Sequence, residues 1–287
     1  MADFWVVGPI AWDRVLHVPR LPASGGFVQA GEVSGRPGGS GANTAMALAS
    51  TGAAVHMVGY VGGDEPGARL RAVLDAAGAD VRFVHGRDGH TSEAVILVEP
   101  SGERAIIGIR PDLLHTVPVP STDIAPGDVV YFAAWHEGFL PAMTRLVSSG
   151  VIVATVPPPH LAPGLPATYV IGSETQYGKQ APADGFFATP GRLRAVIVTR
   201  GADGVVIHDR DGSAAYPAQE VASVDTTGAG DAFAAGFLRQ IAAGGTNGEA
   251  ATAGIAWASA TVQSAASIPP PWHIVEDSFR DLLAKRR

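Results

Sequence analysis

Short apolar runs alternate with longer amphipathic or alanine-rich segments along most of the chain. Apolar runs of about four to eight residues indicate buried strands, and longer segments that end at glycine indicate helices. The alternation of the two predicts a mostly parallel sheet covered by helices on both faces. The predicted strands are 4–8, 55–61, 128–132, 151–155, 168–171, 195–199 and 204–208, and the predicted helices are 41–51, 67–77, 140–149, 232–240, 250–262 and 275–285.

Three further segments favour β-ribbons outside this alternating series. They are 26–33, 94–98 and 104–109, and the last two are joined by a turn at 99–103. Turn residues between two β-prone runs are typical of a hairpin. We therefore expect a small second sheet inserted between elements of the core.

Composition narrows the class of protein. With 287 residues, 46% hydrophobic and 16% charged, the chain is not disordered and suits one large α/β domain over 1–287. A net charge of −7 argues against nucleic-acid or anionic-membrane surfaces and favours small-molecule partners. Cysteine is absent, which excludes disulfides, thiolate metal sites and a cysteine nucleophile. We see neither a signal-peptide pattern nor a long apolar run, and expect a cytoplasmic protein.

The candidate chemistry lies in a glycine-rich run at 224–233, VDTTGAGDAF. Turn and N-cap formers precede an apolar helix, so the helix begins within the run with free N–H groups at 228–230. Such an end favours an anion, and glycines let a phosphate approach closely. Asp231 would repel that anion, unless it takes a proton from a hydroxyl that attacks phosphorus. The alternative is an ordinary capped helix.

Two motifs resemble the signatures of one family. Asp225-Thr-Thr-Gly-Ala-Gly-Asp231 resembles the C-terminal signature of the ribokinase-like (PfkB) family of sugar and nucleoside kinases, and Gly38-Gly-Ser-Gly-Ala-Asn43 resembles its N-terminal Gly-Gly motif. The similarity continues through 58–64, Gly67 and 199–204, and it spans nearly the whole chain in the family's order. Two signatures in register are more specific than either alone.

The resemblance implies a ribokinase-like fold, a doubly wound, mostly parallel sheet with a small β-sheet lid. We place the lid strands at about 14–37 and 90–112. A lid would cover the substrate and exclude water, which a kinase needs to avoid hydrolysing ATP. Exposed ribbon edges invite pairing, so a homodimer formed lid to lid is a further expectation.

The resemblance also implies roles for individual residues. Asp231 would be the general base and Gly228, Ala229 and Gly230 the anion hole; the acceptor would contact Asp13, Gly38, Gly39, Asn43 and Glu137, and the nucleotide Thr199, Gly201 and Gly204. From the residues alone, Asp13 is equally a turn former and Asn43 equally a helix cap.

Cation sites are less well matched. Relatives usually carry Asn-x-x-Glu near Mg²⁺, whereas this chain has Ser173-Glu-Thr-Gln176, so either Glu174 substitutes or the affinity is weak. Asp225, Thr227 and Ser267 resemble positions that hold a monovalent cation such as K⁺ in relatives. A capped turn with a loop serine explains the same residues equally well.

The sequence thus predicts an ATP-dependent kinase that phosphorylates a hydroxymethyl group of a sugar. A nucleoside kinase is the first alternative, with Trp12 or Trp135 stacking on a base, and a non-catalytic sugar or nucleotide sensor is the second. We expect an uncharged acceptor, because no Arg or Lys cluster accompanies 13–43, although Arg104 and Arg110 could supply one.

Overall fold

The computed structural model describes residues 2–101, 103–109, 117–178, 186–188, 192–264 and 268–286. Its strands are β1 (Phe4–Val7), β2 (Ala11–His17), β3 (Glu32–Gly38), β4 (Val55–Gly62), β5 (Val84–Arg87), β6 (Ser92–Val98), β7 (Arg104–Ile109), β8 (Val129–Phe132), β9 (Ile152–Thr155), β10 (Tyr169–Ser173), β11 (Ala195–Thr199), β12 (Val205–Asp209) and β13 (Gly212–Tyr216). Its helices are α1 (Ser40–Ala49), α2 (Glu65–Ala76), α3 (Leu140–Ser148), α4 (Glu174–Tyr177), α5 (Ala229–Ala242), α6 (Asn247–Val262) and α7 (Trp272–Arg286).

The main sheet has nine strands in the order β13-β12-β11-β10-β9-β8-β1-β4-β5. Strands β1, β4, β5, β8, β9, β10 and β11 run parallel, and β12 and β13 form an antiparallel hairpin at one edge. The predicted doubly wound, mostly parallel sheet is confirmed. Strand β1 pairs with β4 on one side and with β8 on the other. The chain therefore changes direction across the sheet at β1, and ligands bind at the carboxyl ends of strands at such a point.

Both faces of the sheet are buried. Phe4 and Val6 of β1 pack into a core with α1, α5, α6 and α7, whereas Trp5 and Val7 face the opposite side, where α3 packs. All four side chains are buried, so the strand is apolar throughout rather than alternating. Burying each such side chain contributes about 1.5–3 kcal/mol, which fixes the strand ends that carry the site.

The small second sheet, which we call the lid after its predicted role, has four strands in the order β3-β2-β6-β7. Strand β2 follows β1 closely, so Asp13 lies on a strand of this sheet and not in a turn. The predicted ribbon at 26–33 is largely wrong, because β3 begins only at Glu32 and 24–31 lie outside any strand. Strand β3 extends only as far as its partner does: β2 pairs with β3 from Gly38 back to Glu32, and β2 is parallel to β6 over its whole length.

In the described part of the chain, we find no helix with the length and apolar character that crossing a membrane requires. The expected cytoplasmic location stays a prediction.

Candidate active site

Two polar side chains meet at the carboxyl edge of the main sheet. Asp231 lies in the first turn of α5, and Asn43 lies in the first turn of α1. Nδ2 of Asn43 donates a hydrogen bond of 2.9 Å to Oδ2 of Asp231. Oδ1 of the same amide is buried and accepts no hydrogen bond from the described residues. A buried amide oxygen without a donor is well placed to accept a hydrogen bond from a ligand hydroxyl.

The surroundings of Asp231 favour its protonated form. The pKa of Asp231 is raised to about 7, mainly by burial; the hydrogen bond from Asn43 opposes the increase, and the nearby charge of Asp13 adds to it. A general base works best when its pKa lies near the working pH, because it is then both ionised and basic. Asp231 thus has the electrostatics that proton removal from an alcohol requires.

We expect the activity to depend on pH through Asp231. Below about pH 7, kcat/KM should fall about tenfold per pH unit, because only the ionised carboxylate accepts a proton. The free energy of unfolding should change in the opposite sense. Because the pKa of Asp231 is higher in the folded than in the unfolded protein, its favourable contribution to stability is complete below about pH 4 and is lost as the pH rises through about 7. A pH–rate profile and thermal unfolding of wild type and Asp231→Asn measure both, and an activity that stays flat from about pH 5 to 9 would contradict the assignment.

A glycine pair shapes the pocket beside Asp13. Asp13 is 7% exposed, and burial raises its pKa to about 6 against the opposing charge of Arg36. A Cβ atom at Gly38 would overlap the Asp13 carboxyl group. Gly39 has φ +89°, and a Cβ atom there would lie 2.6 Å from the carbonyl oxygen of Pro9. Only glycine therefore allows the chain to turn here beside the Asp13 carboxyl group, which lies close enough to Asp231 for their charges to interact.

The amino-terminal end of α5 faces this pocket. Gly228 precedes the helix with φ 76°, and no side chain caps the end. Oδ1 of Asp225 accepts a hydrogen bond of 2.8 Å from the N–H group of Thr227, which forms the expected turn. The N–H group of Ala229 makes a long contact of 3.4 Å with the carbonyl oxygen of Thr226, so it is less free than we expected. An uncapped helix end of this kind attracts an anion.

A cavity of about 280 Å³ adjoins the helix end. All three residues predicted to border the nucleotide line it, and so do two of the three predicted anion-hole residues. The lining includes Thr199, Gly201, Gly204, Val205, Gln219, Thr226, Ala229, Gly230, Phe233 and Ile255. Mostly apolar walls suit a flat base, and the cavity leads from these walls to the uncapped N–H groups.

Two arginines from the lid reach the same region. Nη1 of Arg104 lies 3.2 Å from Oδ1 of Asp225 and 2.6 Å from Oγ1 of Thr226. Arg36 lies between two carboxylates, with Nε 3.9 Å from Oδ2 of Asp13 and Nη2 3.8 Å from Oδ2 of Asp225. Arg36 belongs to no motif that the sequence analysis identified. Its position two residues before Gly38 was the available signal.

The other predicted site residues are not among the contacts described for Asp13, Asn43 and Asp231. Glu137 is exposed in a helical turn after β8. Glu174 is exposed and forms a surface salt bridge of 3.3 Å with Arg200. Oε1 of Gln176 accepts a hydrogen bond from the N–H group of Ser173 and caps α4. Ser267 lies outside the described residues.

The two tryptophans that could stack on a base both have packing partners within the protein. Trp12 alternates with Asp13 along β2, and the guanidinium group of Arg69 lies 4.8 Å from the centre of its ring. Trp135 packs against the core on the face that α3 covers. Because adjacent strand residues point to opposite faces, Trp12 does not stack on a ligand held by Asp13.

The fold and the sequence are similar to those of known sugar kinases. The fold matches the crystal structure of a putative ribokinase from Agrobacterium tumefaciens with a TM-score of 0.84, over 99% of each chain at 23% identity. The chain is 32% identical over 255 residues to an ATP-dependent ribose-1-phosphate kinase from Halopiger xanaduensis, covering 80% of this chain and 82% of the relative. It is 30% identical over 276 residues to a fructokinase from Salmonella typhimurium, covering 85% and 86%.

The fold and the relatives together define a phosphotransferase of the sugar kinase class. The pfkB family carbohydrate kinase model matches residues 1–149 and 180–274. The chain belongs to the pfkB family of carbohydrate kinases, and the prediction made from its two signatures is confirmed.

Proposed function

We propose that the protein transfers the γ-phosphoryl group of ATP to the oxygen of a hydroxymethyl group on a sugar. The observation that carries the proposal is the Asp231–Asn43 pair, which lies beside the uncapped end of α5. A base and an anion site next to each other are what an in-line attack of an alcohol on phosphorus requires.

The proposed reaction proceeds as follows. The acceptor hydroxyl gives its proton to Oδ of Asp231 while its oxygen forms a bond to the γ-phosphorus, and the bond from that phosphorus to the β-phosphate oxygen of ADP breaks. The N–H groups of Gly228, Ala229 and Gly230 stabilise charge on the phosphoryl oxygens. We assign the acceptor's hydroxyls to Asp13, to Asn43 and to the backbone at Gly38 and Gly39, which together fix its orientation. Glu137 stays a predicted acceptor contact.

We place the adenine and ribose of ATP in the cavity beside α5. Thr199, Gly201 and Gly204 border it on the side of β11 and β12, and Ala229 and Gly230 lie at its other end. With the adenine on the side of β11 and β12, the phosphates of ATP would extend past Ala229 and Gly230 toward Asp231. ATP use is supported by the relatives, two of which are named as an ATP-dependent ribose-1-phosphate kinase and a fructokinase.

The described residues offer little direct ligation to Mg²⁺. Among them, no group of three His, Asp or Glu side chains gathers in the geometry of a metal site, and Glu174 is turned to Arg200. We therefore propose that Mg²⁺ enters with the nucleotide and is held mainly by phosphates and water, where it neutralises phosphate charge. For Asp225, the alternatives are a K⁺ site and a capped turn. Its carboxylate already accepts a hydrogen bond from the N–H group of Thr227 and pairs with Arg104, which favours the capped turn.

A change at Gln176 tests the proposal on Mg²⁺. Gln176→Glu keeps an oxygen that can accept from Ser173, and it adds the carboxylate that relatives carry. We expect the Mg²⁺ concentration for half-maximal rate to fall at least about twofold, because a carboxylate attracts the hydrated ion. Gln240→Glu, at the far end of α5, is the control that adds equal charge elsewhere. An unchanged Mg²⁺ titration would place Gln176 away from the metal.

An ATP-consumption screen tests the proposed function. The acceptors are ribose, fructose, adenosine and inosine, together with the phosphorylated sugars ribose 1-phosphate and fructose 1-phosphate. Turnover of a sugar supports the proposal, and turnover of nucleosides alone would favour the nucleoside kinase. If ATP and a sugar bind but no acceptor is phosphorylated, the protein is a sensor and the proposal is wrong.

We also propose a homodimer through the lid. Strand β7 is a sheet edge, and Ile106 and Ile107 on it are 54% and 55% exposed. An apolar edge strand with unpaired backbone groups is a template for pairing with a second copy. Sedimentation velocity should show a dimer that Ile107→Lys dissociates, whereas a monomeric wild type at all concentrations would exclude it.

A further inference from the structure

The lid brings two arginines to the acceptor pocket from opposite edges. Arg36 lies on β3 and Arg104 lies on β7, the two outer strands of the lid sheet. Their side chains nevertheless converge on one carboxylate, since Arg36 is 3.8 Å and Arg104 is 3.2 Å from Asp225. The two arginines are far apart in the sequence, with 67 residues between them. The fold therefore brings both guanidinium groups to the carboxylate of Asp225.

The two cations are held where their charge is costly. The Arg36 side chain is 14% exposed and that of Arg104 is 27% exposed. Burial lowers the pKa of Arg36, its attraction to Asp13 and Asp225 opposes this, and the nearby charge of Arg104 lowers it again. Asp225 offsets part of the repulsion between the two guanidinium groups, and a bound anion that contacts both would offset more of it.

The cluster also adjoins the residues that we assign to the acceptor. Arg36 is next to Asp13, its Nε atom being 3.9 Å from Oδ2, and it precedes the Gly38–Gly39 turn. Asp13 in turn lies close enough to Asp231 for their charges to interact. The chain of contacts thus runs from the base that takes the proton, across the acceptor pocket, to a pair of guanidinium groups. Guanidinium groups bind phosphate through paired, charge-assisted hydrogen bonds.

We propose that the acceptor is a phosphorylated sugar whose phosphate is bound by Arg36 and Arg104, an inference that rests on the proposed kinase function. The existing phosphate is retained and the free hydroxymethyl group at the other end of the sugar is phosphorylated, so the product is a sugar bisphosphate and ADP. The expectation of an uncharged acceptor assumed that no basic cluster accompanies 13–43. Arg36 lies within that stretch and, with Arg104, forms such a cluster. Arg110 lies outside the described residues.

The wild-type protein tests the proposal directly. Steady-state kinetics compare ribose 1-phosphate with ribose, and fructose 1-phosphate with fructose, at saturating ATP. We expect kcat/KM to be at least about 100-fold higher for each phosphorylated sugar, since two charge-assisted contacts are gained. Ribose 5-phosphate carries the phosphate but no free hydroxymethyl group, so it should inhibit without being phosphorylated.

Variants then assign the preference to the two arginines. Arg36→Met and Arg104→Met keep the length of the side chain and remove its charge. Each should lower kcat/KM at least about tenfold more for ribose 1-phosphate than for ribose, because ribose loses only the support that Arg36 gives to Asp13. Arg14→Met is the matched control, because Arg14 is on the lid, exposed and paired with Glu93. Thermal unfolding of each variant checks that it folds.

The outcomes separate this proposal from the kinase function. A wild type that prefers ribose or fructose to the phosphorylated sugars contradicts the phosphorylated acceptor and leaves the kinase intact. Equal losses with ribose and ribose 1-phosphate in both variants also contradict it, because the arginines then serve ATP or lid closure. No phosphorylation of any acceptor means that the proposed function itself fails. The wild-type comparison decides even if both variants unfold.

Discussion

Asp231→Asn is expected to lower kcat at least about 100-fold, the usual effect of losing a general base. The amide is nearly the same size as the carboxylate, and Asn43 can rotate its own amide to keep a hydrogen bond with it. ATP binding should be unchanged, because the cavity beside α5 does not include Asp231 in its lining. The variant should also be more stable than wild type above about pH 7, since it removes a carboxylate whose pKa is raised by burial.

The measurements for Asp231→Asn are steady-state kinetics with a sugar acceptor, ATP binding by calorimetry and thermal unfolding. Asp281→Asn is the control, because Asp281 is exposed on α7 and the same chemical change there should have no effect. A turnover within a few-fold of wild type would rule out Asp231 as the base.

Asp13→Ala is expected to raise the acceptor KM at least about 30-fold and to leave the KM for ATP within about twofold. Asp13 is buried on the lid strand β2 and, in the proposed function, accepts hydrogen bonds from sugar hydroxyls. Each hydrogen bond to a charged group is worth about 1.5–3 kcal/mol, so the loss is large and falls on one substrate only. Arg36 would also lose a carboxylate neighbour, which adds a cost for the lid.

Gly38→Ala provides a second variant at the same contact. The added Cβ atom overlaps the Asp13 carboxyl group, so it should displace this group and raise the acceptor KM without removing any charge. Asp211→Ala, exposed in the β12–β13 hairpin, is the control for Asp13→Ala. An acceptor KM that neither pocket variant changes would show that Asp13 does not contact the sugar.

The core of the fold follows from local pattern, and so do the lid strands β6 and β7, whereas β2 and most of β3 do not. Strands β1 and β11 are short apolar runs that are buried on both faces, so the run itself marks them. Strand β2 carries Asp13, Arg14 and His17, and it is a strand because β3 and β6 pair with it. That pairing depends on residues far away in the sequence. Strand β13 is likewise absent from the predicted strands, although it forms the edge of the main sheet beside β12.

The site shows the same division between local and distant information. Asp231 and Asn43 each belong to a motif that begins a helix, and the sequence places both in the pocket. Their hydrogen bond joins residues that are 188 positions apart, and no local pattern shows it. Arg36 was missed for the same reason, because its role depends on where the lid folds over the glycine run. Motifs identify residues with backbone constraints better than they identify residues that act through side chains alone.

The position of the new phosphate tests the central claim most directly. The enzyme is incubated with ATP and the best acceptor of the screen, and the product is examined by ³¹P and ¹³C nuclear magnetic resonance. We predict one new phosphate ester on the hydroxymethyl carbon, formed in equal amount with ADP and at least about 100-fold more slowly with Asp231→Asn. Phosphate released into water, or an ester on a ring hydroxyl, would contradict the proposed transfer to a hydroxymethyl oxygen by Asp231.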